Sequence, residues 1–283
     1  MLLSLKEINP HADYPTSLTS LLKSLWTNQN LILQMTKREV LGRYKGSTMG
    51  LAWSFFNPLF MLAVYTFVFS EIFKSRWVGI DADNSKTQFA LILFIGMIIL
   101  SLFSEVLNRA PSLIVSNTNL VKKVIFPLEI LPFISLCSSL FHSVASLAVL
   151  LSAFVIFNGY LPWTLVFIPL VFLPLIILST GLAWILASLG VFLRDVGQTI
   201  GILTTVLMFL SPVFYPISAV PERFRPFIMA NPLTFIIEEA RAVLWGHLPN
   251  WLGLSVYTIV AIGIAWVGYA WFQKTRKGFA DVL

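Results

Sequence analysis

The apolar residues of this chain are gathered into blocks about as long as a lipid bilayer is thick. A helix needs about 20 apolar residues to cross a hydrocarbon core of roughly 30 Å. Six blocks meet or approach that length, at residues 51–73, 88–108, 130–157, 163–190, 198–214 and 250–272. Composition agrees: 57% of residues are hydrophobic and 11% charged, whereas a soluble domain carries about 25% charge. The pattern predicts an all-α integral membrane protein with six transmembrane helices. The third and fourth blocks are long enough to tilt or to protrude into water. Pro58, Pro169 and Pro174 fall inside blocks, where neighbouring helices can satisfy the freed carbonyls.

Lysine and arginine counts orient such a chain, because cytoplasmic segments carry the excess. With a cytoplasmic N-terminus, thirteen basic residues fall inside and six outside, so both termini are expected in the cytoplasm. No cleavable signal is apparent in residues 1–49, and targeting is expected to use the first span. The net charge of +6 follows this bias, and no nucleic-acid partner is expected. Cys137, the single cysteine, excludes an internal disulfide and a cysteine-based metal cluster.

Three domains follow. Residues 1–49 form a cytoplasmic N-terminal segment, 50–274 the transmembrane domain, and 275–283 a cytoplasmic tail. Within the first, Leu18, Leu21, Leu22, Leu25 and Trp26 share one helical face. They predict an amphipathic interface helix over about 18–29, lying on the membrane or packed on protein. A polar stretch follows, from Thr36 to Ser47. Between the fifth and sixth spans, Asn231 and Pro232 suit the N-cap and first turn of a helix that Gly246 ends. This helix carries Glu238, Glu239 and Arg241 on an otherwise apolar sequence. It is too short and too charged to cross, so re-entrant helices are expected here, with their polar groups covered by protein or water.

No phosphate-binding loop, HExxH or Gly-x-Ser-x-Gly motif occurs, and His11, His142 and His247 are far apart in sequence. Glu71, Glu105 and Glu129 lie near span ends, where reaching water is cheap. His142 sits at mid-depth in the third span beside Ser139 and Ser143; it is either a functional group or a neutral imidazole hydrogen-bonded between helices. Lys37, Arg38, Arg43 and Lys45 form a basic cluster with two compatible readings, contact with anionic lipid or capture of a substrate's phosphates. Gly42, Gly46 and Gly50 allow either a close helix contact or an elbow. Trp53, Trp77, Trp163, Trp245, Trp251 and Trp271 fall near span ends, as an interfacial belt requires. The alternative is that some aromatic residues, among them Trp53, Phe55, Phe56 and Tyr65, line a path for sugar rings.

Several motifs, taken together, resemble those of type-2 ABC exporter permeases of the polysaccharide-export branch. They are Arg38…Arg43-Tyr44-Lys45-Gly46-Ser47…Gly50…Trp53…Pro58, Asn117…Asn119-Leu120-Val121-Lys122-Lys123…Phe126-Pro127, Arg194-Asp195-Val196, and Ser211-Pro212-Val213-Phe214-Tyr215-Pro216…Asn231-Pro232…Glu238…Arg241. The resemblance runs from about residue 30 to the C-terminus. It implies a homodimer of this chain with two copies of an ABC ATPase subunit, the ATP and Mg²⁺ residing on that partner and no cofactor on this chain. The implied cargo is a lipid-linked glycan (O-antigen, capsule or teichoic-acid type) moved outward across a bacterial inner membrane. Lys37, Arg38, Arg43 and Lys45 would then hold the diphosphate headgroup. Asn117, Asn119, Lys122, Lys123 and Arg194 would couple to the ATPase. Tyr215, Pro216, Glu222, Arg223, Glu238 and Arg241 would shape the outer gate.

A permease for a drug or small lipid is the nearest competing reading, and the polysaccharide-branch motifs argue against it. A membrane enzyme acting on polyprenyl-linked sugars would need an acidic pair or similar cluster at one membrane face. Asp81 and Asp83 are the only closely spaced aspartates, in a segment expected outside. A scaffold would leave the charged re-entrant segment without a reason.

Overall fold

The computed structural model describes residues 15–68, 85–122 and 126–283. Lys123, Trp77, Asp81, Asp83, Glu71, His11 and the end of the first predicted span lie outside the described residues. All regular structure among the described residues is helical. The helices are α1 (Leu18–Thr27), α2 (Gln29–Arg43), α3 (Trp53–Phe67), α4 (Ser85–Arg109), α5 (Thr118–Lys122) and α6 (Ile130–Asn158). They continue as α7 (Ile168–Phe192), α8 (Val196–Leu210), α9 (Arg225–Met229), α10 (Pro232–Leu244), α11 (Trp251–Thr275) and α12 (Phe279–Val282).

Among the described residues, five helices are long and apolar enough to cross a membrane. The fifth predicted span, 198–214, is not among them: α8 stops at Leu210 after 15 residues. That length gives about 22 Å, short of the hydrocarbon core. Pro212 cannot continue a helix, and Ser211 has already turned extended, a residue preceding proline being driven out of the α region.

Helix α4 is the hub, 78% of its apolar window being buried inside the protein, against 11% for the α3 span. It packs against α3, α6, α7, α8 and α10. The tightest pair is α7 with α11. A Cβ on Gly181 would come within 2.6 Å of the Ala265 Cα, and one on Gly268 would strike the Gly181 carbonyl, so this contact requires small residues. By contrast, Cβ atoms on Gly42, Gly46 and Gly50 would meet nothing within 4 Å. With φ of +86° and +54°, Gly46 and Gly50 form an elbow that turns the chain from α2 into α3.

The amphipathic N-terminus continues further than a single interface helix. Ser17 caps α1 through Ser20 N–H, and after a joint at Asn28 the chain resumes as α2, which packs along α6. The apolar face of α1 is divided: Leu21 is buried in the protein, while Leu22 and Trp26 remain 66% and 75% exposed. One residue of this face is thus packed within the protein while two are left on its surface.

The segment between α8 and α11 folds into α9 and α10. Asn231 caps α10, accepting from Leu233 N–H and donating to Ser211 Oγ at 2.9 Å. Leu233, Ile236, Ile237, Ala240, Val243 and Leu244 are fully buried, so α10 is an internal helix packed on α4 and α7.

Candidate functional site

A cleft of about 210 Å³ opens where α2 ends and α3 begins, between α3, α4 and α6. Arg43, Tyr44, Trp53, Asn57, Glu105 and His142 line one end, and Met61, Tyr65, Phe94 and Met97 the other. The grading follows from helix geometry. Asn57, Met61 and Tyr65 lie one turn apart on a single stripe of α3, and Glu105, Ser101 and Met97 descend α4 in the same spacing.

Four charges close the polar end. Arg43 Nη2 pairs with Glu105 Oε1, and Arg109 Nη2 with Glu39 Oε1. Arg109 Nη1 lies 3.6 Å from the same Glu105 oxygen. The set ties α2 to α4 and carries no net charge. Beside it, Tyr44 Oη and His142 Nδ1 share a hydrogen bond of 3.3 Å. Burial is the main cause that lifts the Tyr44 pKa above its usual value, so the phenol stays neutral. His142 therefore bridges α6 to the elbow, as the interhelical reading expects, while its Nε2 is buried without a partner.

The predicted headgroup set separates. Arg43 is in the cleft, committed to Glu105, whereas Lys37, Arg38 and Lys45 are exposed and make no ion pair among the described residues. Of the path candidates, Trp53 and Tyr65 line the cleft; Phe55 and Phe56, 52% and 39% exposed, lie elsewhere on the α3 surface.

The coupling candidates gather at the opposite end of the helix bundle from α10. Asn117 Nδ2 donates to the Leu113 carbonyl at 2.9 Å and so shapes the turn before α5. Asn119, Lys122 and Arg194 are exposed. Just upstream, Pro111 is seated against α7 where a Cβ on Gly190 would strike its carbonyl.

The outer-gate set also divides. Arg241 is 5% exposed. It donates from Nε to the Ile92 carbonyl at 3.2 Å and from Nη2 to the Val213 carbonyl at 3.0 Å, and pairs with Glu238 at 2.9 Å. It pins α10 to α4 and to the turn after α8. Tyr215 Oη donates to the Phe209 carbonyl at 2.9 Å, Pro216 follows in extended backbone, and burial raises the Tyr215 pKa. Glu222 and Arg223 are exposed, Arg223 lying 4.6 Å over its neighbour Phe224.

One cluster escaped the sequence reading. Glu129 was expected to reach for water, yet it is 7% exposed. Its Oε2 pairs with Arg276 at 2.7 Å and its Oε1 accepts from Ser24 at 2.8 Å. Its carbonyl accepts from Trp184 Nε1 at 2.9 Å. Arg276 also donates to the Phe126 carbonyl at 2.8 Å. The carboxylate thus joins α1 and the end of α11 at the start of α6, with α7 held on the carbonyl of the same residue. Arg276 lies 147 positions along the chain, with no local pattern to announce it. The tail beyond is folded: Phe279 is fully buried against Phe192 and Phe272, and α12 touches α5 and α7.

The ABC-2 type transporter family model matches residues 30–245. The O-antigen export system permease protein RfbA of Myxococcus xanthus is 27% identical over 264 residues, covering 92% of this chain and 98% of that protein. A protein of the same description from Klebsiella pneumoniae is 25% identical, with 90% and 95% covered.

Proposed function

Because this chain belongs to the ABC-2 type transporter family, a family of multi-pass transport subunits and not of enzymes, we propose that it is the permease of a polysaccharide exporter. The observation that carries the reading is the match to O-antigen export permeases along nine-tenths or more of both chains. Its cargo is a lipid-linked glycan, moved from the cytoplasmic to the outer side of a bacterial inner membrane. Six membrane segments with both termini inside serve this role, α8 being completed by the re-entrant α9 and α10.

Two copies form the channel, and two copies of an ATPase subunit, which bind ATP and Mg²⁺, dock on the cytoplasmic face. The apolar surfaces left exposed on α3 and α8, including Phe60, Val64, Ile202 and Phe209, are available to lipid and to the second copy. Residues 109–126, through Asn117, Asn119, Lys122 and Lys123, receive the ATPase stroke together with Arg194. The wedge of Pro111 on Gly190 supports this, since it gives the stroke a rigid route into α7. Lys37, Arg38 and Lys45, exposed and without an ion pair among the described residues, attract the diphosphate at the cytoplasmic rim. Trp53, 39% exposed, offers a stacking surface that suits a polymer that must slide. The outer gate is built from Tyr215, Pro216, Glu222 and Arg223 on a fixed base of Glu238 and Arg241.

The test is deletion in the native host, scored for surface polysaccharide and for intracellular lipid-linked glycan. Loss of the first with accumulation of the second, reversed by the intact gene, is the expected result. Normal surface glycan in the deletion strain would overturn the reading, as would purification without an ATPase.

A further inference from the structure

The cleft has features that an exported polymer does not explain. One end is polar and the other apolar, with the change running along two antiparallel helices. A cavity graded in this way fits an amphiphile held lengthwise. Its polar end presents an ion pair that is only partly used. Arg43 engages Glu105 through Nη2 and Oε1 alone, so the other guanidinium N–H groups of Arg43 and Oε2 of Glu105 have no partner among the described residues. Both side chains remain accessible, at 36% and 25% exposure.

The charge count decides which headgroup belongs there. With Glu39 and Arg109 beside the pair, the cluster is neutral. A polyanion gains nothing net from it and meets two carboxylates. A headgroup with one phosphate and one ammonium, aligned against the Arg43–Glu105 dipole, places each charge on its opposite and completes a quartet. The neutral phenol of Tyr44 and the amide of Asn57 are further groups able to bind a phosphate ester. Met61, Tyr65, Phe94 and Met97 continue as an apolar track for the chains.

We propose that this cleft is a binding site for a zwitterionic phospholipid, its phosphate on Arg43, its primary ammonium on Glu105, and an acyl chain along the Met61–Phe94 wall. The bound lipid is a resident of each protomer, separate from the cargo. The inference needs only that the chain sits in a bilayer and stands whether or not the polymer is O-antigen.

The experiment is native mass spectrometry of the full-length chain, in complex with its ATPase where one co-purifies. The protein is extracted gently from nanodiscs of equal parts phosphatidylethanolamine and phosphatidylglycerol. One phosphatidylethanolamine should be retained per chain. Glu105→Gln, which removes the anion but keeps an acceptor for Arg43, should lower retention about tenfold, the scale of one charge-assisted hydrogen bond. Ser101→Phe, which fills the cleft and leaves all four charges in place, should lower it at least as much, and keeps the test decisive if the first variant folds poorly. Preferential retention of phosphatidylglycerol would overturn the proposal. So would displacement by added polyprenyl diphosphate, absence of retained lipid from the parent protein, or undiminished retention in the folded variants.

Discussion

At the scale of single residues, burial decides which charges act structurally and which are left for ligands. Glu129 and Arg276, at 9% and 12% side-chain exposure, form a desolvated pair. Removing one partner strands the other, so Arg276→Ala should destabilise the protein by about 3–5 kcal/mol. The double variant Glu129→Gln with Arg276→Ala should recover part of that, as thermal unfolding in detergent would show. Equal melting temperatures for the two variants would contradict the pairing. Glycines give a second test with opposite signs. Gly190→Ala drives a Cβ into the Pro111 carbonyl and should lower stability and yield. Gly42→Ala meets nothing within 4 Å in the last turn of α2 and should raise stability by about 0.5–1 kcal/mol. For Lys37 and Arg38, exposed and without an ion pair among the described residues, the Lys37→Ala, Arg38→Ala double variant should abolish export while the ATPase still co-purifies. Wild-type surface glycan in that strain would remove them from headgroup capture.

At the scale of elements, the informative contacts tie chain ends to the segment after α4. Helix α12 is a single turn, yet Phe279 buries its whole ring between Phe192 and Phe272 and brings α12 against α5. Such a short helix has no stability of its own and exists because of this packing. Phe279→Ala should cost about 3–5 kcal/mol locally. In the reconstituted complex it should lower the amount of cargo moved per ATP hydrolysed more than the hydrolysis rate itself. A proportional fall in both would mean that the tail only stabilises the fold. Helix α10 shows the same dependence on context. Its charges were legible as a reason not to span; the Ile92 and Val213 carbonyls, together with Glu238, explain why Arg241 is tolerated at 5% exposure.

At the scale of the molecule, the division of labour along the long axis is plain. Buried apolar helices, with α4 at the centre, form a rigid body. The irregular segments at 44–52, 110–117 and 211–224 sit at its margins. A transporter needs this distribution, because a stroke delivered at one end is lost unless the intervening helices resist deformation. Stiffness in the core comes from contacts such as α7 on α11, where Gly181, Ala265 and Gly268 bring two backbones together. Small side chains of α11 at 261, 265 and 268 are spaced for one face, a signal the sequence carried. Gly42, Gly46 and Gly50 have an equally regular spacing, and Gly46 and Gly50 form the elbow, the other of the two readings that spacing allows.

What the sequence determined by itself is what depends on local composition and period. The apolar blocks required membrane helices because no other structure hides that much backbone from lipid. The Asn231-Pro232 start, the break at Ser211-Pro212 and the amphipathic face of α1 are each written within a few residues. Only tertiary structure decided the pairings of Arg43 with Glu105, Glu39 with Arg109 and Glu129 with Arg276, which join residues 62, 70 and 147 positions apart. In a bilayer a charge is retained where a distant partner offsets its desolvation. Spacing along the chain carries no record of which partner that is. The basic cluster was therefore legible as a cluster, but its division into one residue paired with Glu105 in the cleft and three left exposed was not.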